Sequence, residues 1–511
     1  MKRNKIKIYS IVLLLLASCN NATNNSYIEP TIVKNEKISS NVSYSGEKRN
    51  NEFEGVGTLT YSNKYELTGT FKNNKLDESQ NVHIKYLTNQ DQFVGNILLD
   101  DSYEISLVYG TYTKKSNSYK YTGKFKDNLF EDENGSLTIP SIGTYKGAFE
   151  KGSNIDKIGT LYFTSYETNA VGMHYFTGKM KNESSFYDNQ EGNGSIKYDD
   201  NSTYTGNMIY TNGGYFRKGY GEMDFQTCYF LGSAAGGDSH TRLYKYVGEF
   251  DYSISGWMYG DGIMYYVDIK TNKPKYYQKG KWYGLSMVGK YSKDDYELLD
   301  GFSKEMESEY IFNQPYVNNY INRYYSQSIA HKAVVCGDSY TDMMHASYNI
   351  VNFEEEFPNS YDIIDTGIGA TTYYQWLNYA KHLIIPYKPE KIFLHLGFND
   401  LHMGLTPNEV INYASELVNL LKKELPNSTI YLMSVEPSPE FSRYLNVEIQ
   451  YNKLLKEYCS KNNIKLLDNA KNFYKNETET IDDLSTYFIS DRVHMNKKGY
   501  EKFIKLIKDE L

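Results

Sequence analysis

Four short polar motifs near the end of the chain carry side chains that could act together in a reaction. They are Gly-Asp-Ser at 337–339, Gly-Ile-Gly at 367–369, Gly-Phe-Asn-Asp at 397–400 and Asp-Arg-Val-His at 491–494. The first motif contains a serine hydroxyl, and the last contains a carboxylate and an imidazole that could activate it. The second and third contain groups that can donate hydrogen bonds to an oxyanion. These are the parts needed for acyl transfer through a covalent intermediate, and they indicate ester hydrolysis.

Buried parallel strands are predicted around these motifs. Each apolar run is followed by a segment with helical spacing, which predicts a three-layer α/β domain with a parallel sheet. The runs lie at 333–336, 362–364, 391–396, 429–435 and 464–467. Catalytic groups in such sheets collect at the carboxyl ends of the strands. We therefore expect the four motifs to meet at one edge of the sheet.

Two helices of this domain have clear sequence signals. Thr406-Pro407-Asn408-Glu409 places proline at the first helical position and a carboxylate three residues after the cap. The predicted buried face of this helix is Val410, Ala414, Leu417, Val418 and Leu421. The predicted buried face of the last helix is Tyr500, Phe503, Ile504 and Ile507.

The motifs and their order resemble the SGNH, or GDSL-like, hydrolase superfamily over about 331–511. An unassisted serine is a poor nucleophile near neutral pH, so His494 is expected to accept the Ser339 proton and return it to the leaving alcohol. Asp491 would orient the imidazole. The resemblance implies three oxyanion donors, which are the backbone N–H of Ser339, a backbone N–H in the Gly369 turn and the side-chain amide of Asn399. Asp338 and Asp400 are interpreted as supports for their turns.

The second motif departs from a common family pattern. Many relatives have a second glycine after Gly369, whereas this chain has Ala370. A backbone donor is expected to survive this change only where φ is negative. Ala370 therefore remains an alternative donor to Gly369.

The first three hundred residues carry a different, repeated pattern. Most of the 53 tyrosines lie there. Many aromatic residues there begin an aromatic-x-Gly-x-apolar motif, as at Tyr121, Tyr145, Phe176, Tyr204 and Tyr246. Gly-x-Gly pairs between these motifs lead into short alternating strands. The pattern predicts an all-β array in which each unit is a strand, a tight glycine turn and a second strand.

This region resembles degenerate MORN repeats from about Tyr44 to Trp282. The resemblance implies a scaffold or a surface that binds protein, lipid or glycan. Aromatic side chains in the array could stack on sugar rings, or they could form the core between repeats.

The N-terminus resembles a bacterial lipoprotein signal. Basic residues precede a short apolar run that ends in Leu16-Ala17-Ser18-Cys19. This run is too short to span a bilayer as a permanent helix. The resemblance implies cleavage before Cys19 and lipid on its thiol, whereas an ordinary secretory signal is the alternative. We therefore expect a protein anchored by lipid in the bacterial cell envelope, outside the cytoplasm.

The predicted organisation has five parts. A signal peptide covers 1–19, a flexible tether 20–42, the repeat domain 43–295, a connector 296–330 and the hydrolase domain 331–511. The connector, with Tyr310 and Tyr320 among its apolar residues, is expected to be a short helix or an ordered linking segment.

Composition excludes several partners and cofactors. A net charge of -8 without a concentrated basic patch argues against nucleic acid. Beyond Cys19 the cysteines are Cys228, Cys336 and Cys459, an odd number that argues against a disulfide framework. The nine histidines show no metal-ligand spacing, and His345, His382, His395 and His402 are interpreted as structural or surface residues. No metal and no cofactor are expected.

Three functions are compatible with these features. The first is an extracytoplasmic esterase or O-deacetylase that acts on acylated carbohydrate or small esters. The second is a lipase, thioesterase or lysophospholipase that acts on membrane lipid. The third is a non-enzymatic scaffold or adhesin that works through its repeats. The complete set of polar residues at the four motifs argues against the third, but superfamily membership cannot choose between the first two.

Overall fold

A computed structural model describes residues 29–164, 172–225, 240–294, 296–306, 330–476 and 478–511. The chain forms two compact units. The first comprises Met1–Pro140 and Ala148–Ser153, and the second comprises Ser141–Gly147 and Asn154–Leu511. The predicted signal peptide with Cys19, Cys228 and most of the predicted connector lie outside the described residues.

The first unit consists of antiparallel β-strands. They are β1 (Thr31–Lys37), β2 (Val42–Arg49), β3 (Glu52–Tyr61), β4 (Tyr65–Lys72), β5 (Lys75–Leu76), β6 (Val82–Tyr86), β7 (Gln92–Leu99), β8 (Ile105–Thr113), β9 (Lys120–Lys126), β10 (Leu129–Phe130) and β11 (Asp132–Ile139). The first strand corrects the predicted flexible tether at 20–42. Residues 31–37 pair with β2, so the backbone of this polar segment is held by a neighbouring strand.

The second unit begins with further antiparallel strands. The residues of β12 (Gly143–Phe149) are divided between the two units. The strands that follow are β13 (Ile158–Phe163), β14 (Met173–Asn182), β15 (Ser185–Phe186), β16 (Gln190–Lys197), β17 (Thr203–Thr211), β18 (Gly214–Asp224), β19 (Thr241–Asp251), β20 (Trp257–Asp268), β21 (Pro274–Tyr283) and β22 (Ser286–Gly289).

Within the strands, tyrosine rings of the repeated motifs pack over glycines of the same and the neighbouring strand. Gly248 of β19 lies opposite Gly262 of β20, and the Tyr246 ring lies over both. A Cβ at Gly262 would lie 2.1 Å from the Tyr246 hydroxyl, so a larger residue would displace the ring. All five aromatic residues that begin the repeated motifs are buried. These rings therefore form the core, and their faces are not available to stack on sugars.

The expectation of tight glycine turns is wrong for several hairpins. The turn between β4 and β5 is made by Asn73 and Asn74, whose φ angles are 50° and 64°. Asparagine tolerates the left-handed region better than most residues because its short polar side chain can hydrogen-bond locally. Positive φ angles do occur at the first glycine of some Gly-x-Gly pairs, such as Gly55 and Gly260.

The predicted α/β domain is confirmed at the end of the second unit. Its five parallel strands are β23 (Ala333–Gly337), β24 (Ile363–Asp365), β25 (Lys391–His395), β26 (Thr429–Met433) and β27 (Lys465–Leu467). Their order across the sheet is β24-β23-β25-β26-β27. The strand β24 therefore lies on one side of β23, and β25, the next strand in sequence, lies on the other side of β23. Such a topological switch point is where open α/β sheets bind ligands.

Helices connect these strands. They are α1 (Ser339–Asp342), α2 (Phe353–Glu356), α3 (Tyr373–Leu383), α4 (Phe398–His402), α5 (Pro407–Glu424), α6 (Leu445–Asn462) and α7 (Lys497–Lys508), with 3₁₀ turns at Tyr252–Ile254 and Ser442–Tyr444 among others. The predicted capping box at the start of α5 is confirmed, because Thr406 and Glu409 exchange hydrogen bonds. The predicted buried faces of α5 and α7 are also confirmed.

Within the described residues, no helix is both long enough and apolar enough to cross a membrane.

Candidate active site

The four predicted motifs meet at the carboxyl edge of the parallel sheet. His494 Nε2 lies 2.9 Å from Ser339 Oγ, and His494 Nδ1 lies 2.7 Å from Asp491 Oδ2. These distances allow the imidazole to accept the serine proton while the carboxylate fixes its orientation. The predicted serine, histidine and aspartate are therefore connected in the order that nucleophilic catalysis requires.

Ser339 is held at the junction of β23 and α1. Gly337 has a φ of 149°, and a Cβ there would lie 1.9 Å from the His395 carbonyl oxygen. Only glycine therefore allows β23 to approach β25 this closely before the nucleophile. Asp338 caps α1 by accepting a hydrogen bond of 3.0 Å from the Tyr340 backbone, as its interpretation as a turn support implies.

The loop that carries the histidine is held by its own aspartate and by Tyr340. Asp491 Oδ1 accepts hydrogen bonds from the backbone N–H groups of Val493 (2.8 Å) and His494 (3.0 Å). Burial alone would raise the pKa of Asp491, but these bonds and the one from the His494 ring hold it below its usual value. The buried Tyr340 hydroxyl donates to the Val493 carbonyl at 2.8 Å. Tyr340 thus ties the loop that carries His494 to α1, the helix that begins at Ser339.

Asn399 lies in the first turn of α4 and lines the same cleft as Ser339. Its Nδ2 donates to the Thr371 carbonyl at 3.1 Å, which fixes the side-chain rotamer. An amide nitrogen carries two hydrogens, so a second N–H can serve an oxyanion. Asp400, the next residue, accepts a hydrogen bond from the Tyr373 backbone at 3.0 Å, so it supports the start of α3 and not only its own turn. Burial raises the pKa of Asp400 to about 8.

Gly369 and Ala370 both line the cleft beside Ser339. The Gly369 N–H donates to Asp342 Oδ2 at 3.2 Å. Ala370 has a φ of 58°, so the negative φ expected for an alanine donor is not found. The left-handed conformation costs an alanine roughly 1 to 2 kcal/mol, which the surrounding loop must offset. Donation to the oxyanion by Gly369, with Ala370 as the alternative donor, stays a prediction.

A buried charged cluster includes Asp338, the residue before Ser339. His395 Nδ1 lies 3.1 Å from Asp338 Oδ1, and its Nε2 lies 2.9 Å from Glu436 Oε2. All three side chains are fully buried. Burial alone would lower the pKa of His395, but the charges of Glu436 and Asp338 and their hydrogen bonds raise it to about 10. His395 is therefore a structural residue, as interpreted from sequence, but its charge supports the turn that carries Ser339.

A second buried histidine lines the cleft in its neutral form. His402 Nε2 lies 3.0 Å from Glu448 Oε1. Burial, with Arg443 nearby, lowers the pKa of His402 to about 3, whereas burial with Glu436 nearby raises the pKa of Glu448 to about 8. Burial thus shifts the pKa of each group towards its neutral form.

The cleft has a volume of about 520 Å³ and is lined mostly by apolar and aromatic side chains. Besides the predicted residues it is lined by Met343, Phe398, Met403, Phe441 and Tyr444 and by two residues of the repeat strands, Ile254 and Tyr283. The volume lies within the range typical of sites for small molecules. Among the described residues, no group of histidine, cysteine and acidic side chains is arranged to hold a metal ion. Cys336 and Cys459 are buried free thiols.

Sequence reasoning missed several residues of the site. Three of them, Tyr340, Asp342 and Thr371, lie within five residues of a motif in sequence. That short separation is a signal by which they could be identified as site residues. Ile254 and Tyr283 gave no such signal because they lie in the repeats.

Replacing Asn399 with alanine is expected to lower kcat by on the order of 10² to 10³, because one oxyanion donor is lost while the serine and histidine remain paired. KM should stay near the wild-type value, since the donor acts mainly in the transition state. Steady-state kinetics with p-nitrophenyl acetate measure both constants. Asn408→Ala, at an exposed position of α5, is the matched control. A kcat within about twofold of the wild type would exclude Asn399 from the oxyanion site.

Comparison with known proteins identifies one family and several solved structures that this chain resembles. Residues 335–502 match the GDSL-like Lipase/Acylhydrolase family. No curated protein matches the chain. A GDSL-like lipase from Bacteroides thetaiotaomicron VPI-5482 is 20% identical, with 37% of this chain and 96% of that chain covered and a TM-score of 0.32. A catalytic mutant of an acetylxylan esterase from Geobacillus stearothermophilus is 17% identical, with 35% and 93% covered and a TM-score of 0.29.

Proposed function

We propose that this chain, an ester-hydrolysing enzyme with a GDSL-like lipase/acylhydrolase domain at 335–502, removes short acyl groups from acylated carbohydrate or small esters. The observation that carries the proposal is the connected Ser339, His494 and Asp491 set in an open cleft. In the reaction His494 takes the Ser339 proton as Oγ attacks the ester carbonyl. His494 then gives that proton to the leaving alcohol, and water attacks the acyl-enzyme to release the acid.

A carbohydrate ester fits the mixed chemistry of the cleft. Tyr283 and Tyr444 present aromatic rings with hydroxyl groups, and Arg443 presents a guanidinium. Flat apolar faces next to hydrogen-bond donors match a sugar ring, which has an apolar face and a rim of hydroxyls. A small acyl group would occupy little of the cleft and would leave room for the sugar.

A lipase or lysophospholipase activity is the second candidate. Met343, Phe398, Met403 and Phe441 also line the cleft, and these side chains could accept a long acyl chain. The two candidates differ in the acyl chain length that they predict.

A chain-length series of p-nitrophenyl esters, run beside acetylated polysaccharides, separates the candidates. The proposal predicts release of acetate from polysaccharide and a kcat/KM for acetyl at least about tenfold above that for octanoyl. That ratio corresponds to about 1.4 kcal/mol of differential transition-state binding. A preference for octanoyl, with no acetate released from any polysaccharide, would favour the lipid substrate.

We further propose that the enzyme is anchored outside the cytoplasm by lipid on Cys19, a residue outside the described part of the chain. The support is the basic and apolar leader before Leu16-Ala17-Ser18-Cys19. Cys19→Ser is expected to abolish lipid attachment and to move the protein out of the membrane or detergent fraction. Intact mass and phase partitioning measure this. An unchanged mass and partitioning in the variant would reject the anchor.

A further inference from the structure

Two residues of the repeat region, Ile254 and Tyr283, line the cleft of Ser339. Ile254 ends the 3₁₀ turn after β19, and Tyr283 ends β21. Both line the same cleft as Ser339 and His494, although they lie at least fifty residues before the first strand of the α/β domain. The cleft is therefore built from two parts of the second unit.

Contacts next to the cleft hold the repeat strands in this position. The Tyr259 ring of β20 packs on Gly404, directly after the helix that carries Asn399, and a Cβ at Gly404 would lie 2.2 Å from the Tyr259 hydroxyl. Tyr259 in turn packs edge-on against Tyr283, with ring centroids 6.3 Å apart. Tyr283 is thus positioned by a ring that itself contacts the α/β domain.

Polar contacts further along fix the same region to α5. The Lys290 backbone donates to the Tyr413 hydroxyl at 2.8 Å, and Lys290 Nζ lies 2.7 Å from Glu416. Lys281 forms a partly buried ion pair with Glu409 of the capping box. Lys281 lies in β21 and Lys290 directly follows β22, so two consecutive strands of the repeat region are attached to the α/β domain.

We propose that Tyr283 and Ile254 form a specificity wall that binds the alcohol part of the ester. Tyr283, Arg443 and Tyr444 all line this cleft. The Arg443 guanidinium lies over the Tyr444 ring, 5.0 Å from its centroid. Hydroxyl and guanidinium donors suit a polar alcohol better than an acyl chain, which offers no acceptor beyond its carbonyl. Identification of that alcohol as a sugar rests on the proposed function.

The test compares Tyr283→Ala with the wild type on esters that differ in one part only. Ethyl acetate has a small alcohol, 4-methylumbelliferyl acetate and acetylated xylotriose have large ones, and ethyl octanoate has a large acyl group. The ratio of variant to wild-type kcat/KM cancels the intrinsic reactivity of each ester. Tyr283→Phe keeps the ring, and Tyr109→Ala, exposed in the first unit, is the control.

If Tyr283 and Ile254 form this specificity wall, Tyr283→Ala should lower kcat/KM for esters of the large alcohols about tenfold more than for ethyl acetate. The loss should arise mainly from a higher KM. Ethyl octanoate should behave like ethyl acetate, and Tyr283→Phe should restore most of the loss. Equal losses on all esters, or a loss confined to ethyl octanoate, would overturn the inference.

Failure of the proposed function gives a different result. If the wild type releases no acetate from xylotriose, the carbohydrate substrate is rejected. The wall is then judged by 4-methylumbelliferyl acetate against ethyl acetate, where the same tenfold difference supports it and its absence overturns it.

Discussion

Ser339→Ala is expected to lower kcat on any ester by on the order of 10⁶, because the acyl-enzyme can no longer form. Alanine removes only the hydroxyl at the start of α1, so the fold and the cleft should remain. Initial rates with p-nitrophenyl acetate measure the loss, and an unchanged melting temperature shows that the fold is intact. Ser347→Ala is the control, because Ser347 is exposed close to the site but does not line the cleft. Full activity in Ser339→Ala would exclude this serine as the nucleophile.

His494→Ala should be almost as damaging, since nucleophile and base act as a unit. The double variant Ser339→Ala with His494→Ala should therefore lose little more than either single variant. His83→Ala, exposed on β6, is the matched histidine control.

His395→Leu is expected to give the largest loss of stability, of about 3 to 5 kcal/mol, because two buried carboxylates would lose their shared cation. Asp338 and Glu436 lie 3.1 and 2.9 Å from the imidazole and are fully buried with it. Urea denaturation followed by tryptophan fluorescence measures the change, with His83→Leu as the exposed control. A loss below about 1 kcal/mol would show that the cluster does not depend on the charge of His395.

The pH dependence of this loss follows from the raised pKa of His395. The folded state holds the proton up to about pH 10, whereas an unfolded histidine releases it near about pH 6.5. The stabilisation is therefore complete below about pH 6.5 and decreases as the pH rises towards 10. The difference in free energy of unfolding between the wild type and His395→Leu should be largest at pH 6 and smaller at pH 9.

The grouping of the four motifs at one edge of the sheet could be predicted because the positions of these motifs depend on local patterns. Ser339 and Asn399 directly follow apolar runs that form β23 and β25, and the ends of parallel strands meet at one edge. The capping box before α5 likewise depends on four consecutive residues. These features need no knowledge of distant contacts.

Other features depend on contacts that the sequence does not display. His395 belongs to an apolar run that predicts a buried strand. No residue near it in sequence indicates that it contacts Glu436, which follows β26 in the chain. Tyr283 belongs to a repeat strand, and its position in the cleft depends on Tyr259 packing against Gly404. The repeat pattern predicts that its glycines lie in turns, whereas Gly248 and Gly262 lie in strands, where the Tyr246 ring occupies the space of their side chains.

Labelling with a fluorophosphonate probe, followed by peptide mass spectrometry, tests the central claim most directly. The wild-type protein is expected to carry one probe adduct on Ser339, because His494 activates that hydroxyl at 2.9 Å. Asn399→Ala should still be labelled, although more slowly, and Ser339→Ala should not be labelled. An adduct on another residue, or no adduct on a folded protein that hydrolyses esters, would contradict the account.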